Sequence, residues 1–137
     1  MRLRGDDIKR LIPQRDPFMM VDEFEQRDDQ TGVTLLTVRH DNYFRLPDDT
    51  MAETGLIEHI AQSCSALAGS KATGDKPPVG MIAEVKHFGC HRRPAVGEQI
   101  DTTVTFGFSF GQMTMAHGES RVGADVIAEM DLKIFMQ

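Results

Sequence analysis

The second half of the chain alternates apolar and polar side chains over long segments. In "EQIDTTVTFGFSF" one face would carry Ile100, Thr102, Val104, Phe106, Phe108 and Phe110. In the last segment one face would carry Val126, Ala128, Met130, Leu132, Ile134 and Met136, and the other Glu129, Asp131 and Lys133. A period of two with one wet and one buried face is typical of antiparallel strands. Together with "VGMIAEVKHF" and "QMTMAHGES", the pattern predicts four late antiparallel strands.

The first half contains two shorter strand patterns and one clear helix. "FMMVDEFEQR" and "GVTLLTVRH" predict strands, and "DDIKRLIP" predicts a short helix capped by Asp6 or Asp7. The helical period runs from Gly55 to about Ala68, its end lies near 69–74, and Pro47 is expected in the loop before it. Its apolar arc consists of Leu56, Ile57, Ile60, Ala61, Cys64, Leu67 and Ala68, opposite Glu58, Gln62 and Ser65.

This order of elements predicts one α+β domain over residues 1–137, with the sheet curved around a central helix. At 137 residues with 40% hydrophobic side chains, the chain is long enough for one proper core. The apolar runs are too short to span a bilayer, and "MRLRGDDIKR" lacks the apolar region of a signal peptide. Two cysteines make no disulfide framework, so we expect a cytoplasmic protein.

Net charge limits the classes of partner. The formal charge of -6 argues against a general binder of nucleic acid or anionic membrane. One basic stretch departs from it, since "KHFGCHRR" places Lys86, His91, Arg92 and Arg93 close together. The simpler interpretation is a solvated strand end, and the sharper one is a dock for an anionic partner or a phosphate.

Three stretches together resemble the FabZ-type (3R)-hydroxyacyl-ACP dehydratases of the hotdog fold: "LIPQRDPFMMVDEF", "ETGLIEHIAQ" and "VKHFGCHRRPAVGEQI". The resemblance covers nearly the whole chain. It implies a helix wrapped by an antiparallel sheet. It also implies a homodimer, or a hetero-oligomer with another hotdog subunit, paired edge to edge with active sites at the interface. It also implies an acyl group carried by acyl carrier protein or coenzyme A, with the phosphopantetheine brought by the substrate and no other cofactor.

The resemblance also assigns roles to residues of the helix. Glu58 matches the family's catalytic carboxylate, Gln62 matches the glutamine one turn later, and Gly55 lies where backbone N–H groups can face a thioester carbonyl. Dehydration beside a thioester needs a base for the α proton, an acid for the departing hydroxyl, and donors for the thioester oxygen. Judged on this segment alone, the simpler interpretation is preferred, in which Glu58 is a first-turn acid favoured by the helix dipole by about 0.5 kcal/mol. The substrate-contacting positions would be Gly55, Arg45, Phe88, His91, Arg92 and Arg93.

The sequence departs from the family at the histidine base. The family's Gly-His-Phe-Pro-Gly run is absent, and Arg45 aligns with the histidine before Leu46–Pro47. Arginine stays protonated and cannot act as a base. The histidine usual in the "RDPF" motif is replaced by Gln14. His59 is adjacent to Glu58 and should point about 100° away from it on a helix.

Three hypotheses remain open. The chain is an active dehydratase with altered machinery, or a subunit that pairs with a competent paralogue and contributes Glu58, or a hotdog acyl thioesterase that uses Glu58 and needs no histidine. No spacing of histidine, cysteine and carboxylate residues indicates a metal site. Cys64 lies on the apolar arc and is most simply a core residue.

Overall fold

The computed structural model describes residues 2–72 and 76–136, and within these ranges it contains one antiparallel sheet and one long helix. A 3-10 helix spans Gly5–Arg10 and the α-helix, α1, spans Glu53–Lys71. The strands are β1 (Arg2–Arg4), β2 (Glu23–Asp28), β3 (Thr31–Thr37), β4 (Gly80–Cys90), β5 (Gln99–Phe110), β6 (Met113–Val122) and β7 (Asp125–Met136). The four late strands and the central helix are therefore found where the sequence predicts them, and part of the predicted helix end, 73–75, lies outside the described residues.

The sheet has the strand order β1-β2-β3-β5-β6-β7-β4, and every neighbouring pair is antiparallel. It curves around α1, which contacts strands from β2 to β6. This confirms the hotdog arrangement of a sheet wrapped around a central helix. β1 and β4 are the two edges, so the long strand β4 has one side without a neighbouring strand in the described chain.

The core lies between α1 and the inner face of the sheet. Ile60 and Leu67 are fully buried against Val104, Met130 and other inward side chains of the late strands. Inward residues of β7 alternate as predicted, with Ala128, Met130, Leu132 and Ile134 all buried. The alternating pattern succeeded here because these strands are covered on one face only.

The prediction that one face of β5 is apolar along its whole length is wrong at its far end. A register shift between Phe106 and Ser109 inserts an extra residue opposite β6. Beyond this bulge Phe110 pairs with Met113, and Phe108 and Phe110 are 72% and 77% exposed. A β-bulge reverses the inward and outward sides of the residues that follow it, which a period-two pattern does not record.

Two features near the N-terminus also differ from the sequence prediction. The residue that precedes the 3-10 helix is Arg4, whose backbone is extended. Neither Asp6 nor Asp7 caps the helix with a side-chain hydrogen bond. β2 begins at Glu23, because residues 18–20 lie outside the sheet and bond to α1 instead. Backbone groups there bond to helix side chains, which replaces the strand pairing that the apolar run predicts.

Gly118 on β6 allows Ile60 of α1 to pack directly against the strand backbone. A Cβ built there meets Ile60 Cγ2 far inside contact distance, whereas a Cβ at Gly107 on β5 finds its nearest atom at 3.9 Å. We expect Gly118→Ala to lower the free energy of unfolding by about 1–3 kcal/mol through overpacking. Chemical denaturation measures this, with Gly107→Ala as the matched control. Equal stabilities of the two variants would contradict the packing account.

Candidate functional site

Glu58 lies in the second turn of α1 and is half-buried. Its Oε2 accepts a hydrogen bond of 2.8 Å from Gln62 Nε2, one turn later. The spacing of four residues puts both side chains on the same side of the helix. Gln62 therefore fixes the direction of the carboxylate, and the structure brings these two predicted residues together.

Gln62 also holds the segment 18–20 against the helix. Its Nε2 donates to the carbonyl of Phe18 at 2.6 Å, and its Oε1 accepts from the N–H of Met20 at 2.6 Å. Gln62 is fully buried, although the helical pattern places it opposite the apolar arc. Its amide bonds replace the water it would otherwise contact, so burial carries no unpaired polar atom.

His59 is fully buried between α1 and the sheet. Its Nδ1 lies 2.6 Å from the Met20 carbonyl, which only accepts, so Nδ1 carries the proton and donates. Its Nε2 then accepts from the Thr102 hydroxyl at 2.7 Å, and that hydroxyl lies 2.7 Å from Ser120 Oγ. Burial lowers the pKa of His59 to about 4, against the Met20 bond, which raises it. Both ring nitrogens are occupied by hydrogen bonds inside the core and His59 does not line the groove described below, so it is not a substitute for the missing base.

A groove of about 270 Å³ exposes the Glu58 side of the helix next to the sheet edge. Its other lining residues are Gln14, Ala61, Ser65, Gly80, Met81, Ile82 and Ile134. Gly80, Met81 and Ile82 begin β4, and the side chains of Met81 and Ile82 are 53% and 42% exposed. Glu58 thus lies next to the β4 edge of the sheet, which has no neighbouring strand among the described residues.

None of the five histidines, all of which lie within the described ranges, lines this groove. His40 is exposed in the loop after β3. His87 and His117 both bond to Asp131, whose pKa they lower, His117 the more strongly. His91 is exposed, 3.6 Å from Glu129. The groove thus contains the predicted carboxylate, Glu58, and none of the five histidines.

Gly55 has a packing reason to be glycine. A Cβ there would lie 2.8 Å from Met51 Cγ and from Phe44 Cβ, because the loop before the helix covers its first turn. The N–H of Gly55 donates to the Ala52 carbonyl at 2.9 Å. Thioester binding by this N–H stays a prediction, and it would require the hydrogen bond to be shared.

Arg45 and Phe88, two predicted substrate contacts, lie elsewhere. The guanidinium of Arg45 pairs with Asp49 at 3.0 Å, and Arg45 does not line the groove. Phe88 is half-buried and packs against buried apolar residues of the core, which explains its position. Pro47 is in the loop before α1, as predicted.

The basic stretch is tied to acidic neighbours within the chain. Arg92 makes two hydrogen bonds to Glu98, at 2.7 and 3.0 Å, which hold the pKa of Glu98 below its usual range. Arg93 bonds to Asp48 and Thr50 at 3.1 Å and lies 3.5 Å from Glu53. These ion pairs and hydrogen bonds hold the loop after β4 and the loop before α1 in place. The sequence does not indicate this structural role.

The described residues give little support to thiol chemistry, metal binding or a membrane-spanning helix. Burial raises the pKa of the Cys64 thiol to about 12, in keeping with a core residue. No group of histidine, cysteine and carboxylate side chains among residues 2–72 and 76–136 is arranged to hold a metal ion. Over the same residues, no helix is long and apolar enough to cross a membrane.

Dehydratases are similar in sequence to this chain over most of its length. The model of the ApeP-like family, described as ApeP dehydratase, matches residues 6–137. The 3-hydroxyacyl-(acyl-carrier-protein) dehydratase FabZ of Halalkalibacterium halodurans is 25% identical over 131 residues, which cover 93% of this chain and 94% of the relative. FabZ of Sinorhizobium fredii is 28% identical over 133 residues, covering 92% and 84%.

Solved structures share the fold at low sequence identity. A chain of the dehydratase heterocomplex ApeI:P from Xenorhabdus doucetiae has a TM-score of 0.86 and 17% identity, covering 98% of this chain and 91% of that one. A probable thioesterase from Bartonella henselae has a TM-score of 0.66 and 6% identity, covering 79% and 90%. Likenesses this distant in sequence establish the hotdog fold and nothing finer.

Proposed function

The chain belongs to the ApeP-like dehydratase family, and on that premise we propose that it contributes Glu58 to a dehydratase site completed by a second hotdog subunit. The observation that carries the proposal is the groove itself. It combines a hydrogen-bonded carboxylate, an unpaired sheet edge and no histidine of this chain. The solved relative that is described as a dehydratase heterocomplex supports an assembly of two different hotdog chains.

The proposed substrate is a (3R)-hydroxyacyl thioester on acyl carrier protein, as the names of the curated FabZ relatives suggest. A histidine of the partner subunit takes the proton from the α carbon, and the electron pair of that bond forms the carbon–carbon double bond. Glu58 acts as the general acid and gives a proton to the departing 3-hydroxyl, which leaves as water. The product is the enoyl thioester, and Gln62 keeps Glu58 directed at the hydroxyl throughout.

Reconstitution tests this proposal. Three samples are assayed on (3R)-hydroxyacyl carrier protein by mass spectrometry. They are this chain alone, a hotdog protein with an intact Gly-His-Phe-Pro-Gly run alone, such as one from a neighbouring gene, and the mixture of the two. We expect dehydration by the mixture to exceed the sum of the two separate proteins at least about tenfold. Equal activity of the isolated chain and the mixture would contradict the shared site.

Hydrolysis of an acyl thioester by the isolated chain is the second candidate function. It is favoured by the carboxylate in a groove without histidine, since Glu58 could activate water directly. Release of free carrier-protein thiol, measured without any partner subunit, distinguishes it from dehydration. If the isolated chain hydrolyses acyl thioesters and the mixture does not dehydrate, the second function replaces the first.

Carrier-protein docking on the basic stretch is a further part of the proposal. Acyl carrier proteins are acidic, and the stretch of Lys86, His91, Arg92 and Arg93 is the basic surface that the sequence offers. We expect Arg92→Gln with Arg93→Gln to weaken carrier binding in a titration at low salt. Because both arginines also fasten loops, the melting temperature is recorded alongside.

The control for docking is Arg121→Gln, which removes a similarly exposed charge paired to Glu119 on β6. Binding that falls equally in the control, or only in step with the melting temperature, would remove the basic stretch as the docking surface.

A further inference from the structure

The side-chain amide of Gln62 binds two acceptors with one nitrogen. Its Nε2 donates one hydrogen to Glu58 Oε2 at 2.8 Å and the other to the Phe18 carbonyl at 2.6 Å. Both hydrogens lie in the plane of the amide at a fixed angle, so fixing one bond fixes the direction of the other. The position of the Phe18 carbonyl therefore sets the direction in which the Glu58 carboxylate is held.

The two ends of the segment 18–20 are held differently. Met20 is bound on both sides of its backbone, since its N–H donates to Gln62 Oε1 and its carbonyl accepts from His59 Nδ1, each at 2.6 Å. At the other end, the Phe18 N–H donates to the Arg15 carbonyl at 2.9 Å, a bond within a local turn. A shift of the segment would therefore occur at the Phe18 end, which is the end that directs the second hydrogen of the Gln62 amide.

The ring of Phe18 contacts Tyr43, in the loop between β3 and α1. Their ring centroids are 4.4 Å apart, and the Tyr43 ring meets the Phe44 ring edge to face at 5.2 Å. Phe44 in turn covers the first turn of the helix, where a Cβ at Gly55 would lie 2.8 Å from the Phe44 Cβ. Three aromatic rings thus join the start of α1 to the carbonyl that directs Gln62.

Phe18 and Tyr43 do not belong to the buried core. They are 47% and 56% exposed, and neither lines the groove. An aromatic pair at this distance attracts beyond the area it buries, so the contact can hold the two segments together at the surface. Because Tyr43 lies outside the groove, its influence on Glu58 has to pass through Phe18 and Gln62.

We propose that Tyr43 is a positioning residue for Glu58, which acts through the Phe18 carbonyl and the Gln62 amide; its effect on the reaction rests on the proposed function. Without the Tyr43 ring the Phe18 end of the segment is free to shift, and the Gln62 amide turns with it, away from the carboxylate. The general acid then points at the departing hydroxyl in a smaller fraction of the bound complexes. The loop that aligns with the family's histidine run thus serves the acid half of the site.

Two measurements on Tyr43→Ala and Tyr43→Phe test this assignment. The first is hydrogen exchange of the Gln62 side-chain amide in the full chain, followed by NMR. We expect exchange to accelerate at least about threefold in Tyr43→Ala and to stay unchanged in Tyr43→Phe, which keeps the ring. The second is steady-state dehydration by the complex with the hotdog partner. We expect Tyr43→Ala to lower kcat about two- to tenfold, the fold-change of losing one aromatic pair, with KM unchanged.

The control is Phe108→Ala, which removes an exposed ring of β5 that does not line the groove and should change neither measurement. If Tyr43→Ala keeps its amide exchange and its kcat while Glu58→Gln is inactive, the Tyr43 assignment is wrong and the proposed function stands. A lower melting temperature of Tyr43→Ala with unchanged amide exchange would show a structural role only and would also overturn the assignment. Faster exchange in Tyr43→Ala, with no dehydration by the unaltered complex, would support the positioning of Gln62 and overturn the proposed function.

Discussion

Glu58→Gln is expected to lower the dehydration rate of the assembled complex by about 100- to 10 000-fold, the usual range for losing a general acid. The glutamine amide is far too weak an acid to transfer a proton to the departing hydroxyl. The fold should be unaffected, because the oxygen of a glutamine can still accept the hydrogen bond that Gln62 Nε2 now donates to the carboxylate. We expect a melting temperature that is unchanged or higher, since replacing a half-buried site carboxylate by a neutral group often stabilises an enzyme.

The matched control is Glu53→Gln, which removes a carboxylate from the first turn of the same helix. Glu53 is exposed, lies 3.5 Å from Arg93 and does not line the groove. Its variant should keep most of the dehydration activity. Single-turnover assays on hydroxyacyl carrier protein compare the two. Full activity in Glu58→Gln would place the site in another part of the molecule.

His59 should make the free energy of unfolding depend steeply on pH. Its pKa is about 4 in the folded protein and about 6.5 in the unfolded chain, so the unfolded chain binds the additional proton between these values. The contribution is complete above pH 6.5 and is lost as the pH falls to 4. It amounts to about 1.4 kcal/mol per pH unit, or roughly 3 kcal/mol in total. Urea unfolding across this range measures the slope.

His59→Leu removes both the slope and the hydrogen bonds. The Met20 carbonyl and the Thr102 hydroxyl would lose their partners inside the protein, which we expect to cost about 2–5 kcal/mol at neutral pH. The exposed His40, replaced by leucine, is the control and should unfold like the unaltered protein. A pH dependence that survives in His59→Leu would show that other groups produce it.

The sequence was informative where each segment has a single environment. The late strands are covered on one face only, so their alternation predicted the buried side chains of β7 correctly. The helix was also correct, and the resemblance led to Glu58 and Gln62, which the structure joins by a hydrogen bond. These features depend on local periodicity or on quoted motifs.

The errors arise where polar groups find partners far along the chain. Helical periodicity places Gln62 on a solvated side, yet its amide is buried on the backbone of residues 18–20. His59 meets Thr102, 43 residues away, which no local pattern indicates. Gln14 stands where the family has a histidine, and only the fold shows that it lines the same groove as Glu58. The bulge after Phe106 likewise depends on the pairing with β6.

One edge of β4 is uncovered in the described chain, so the rate at which cells synthesise this chain affects how many copies expose that edge. Its start, with exposed Met81 and Ile82, is an open apolar template for any other strand. Further along, register shifts on both sides of Glu84–Lys86 and a left-handed backbone at His87 interrupt a straight edge. Unassembled copies would therefore be prone to aggregation from one end of the strand. Matched expression with a partner, as neighbouring genes in one transcript provide, would keep that end covered from the time of translation.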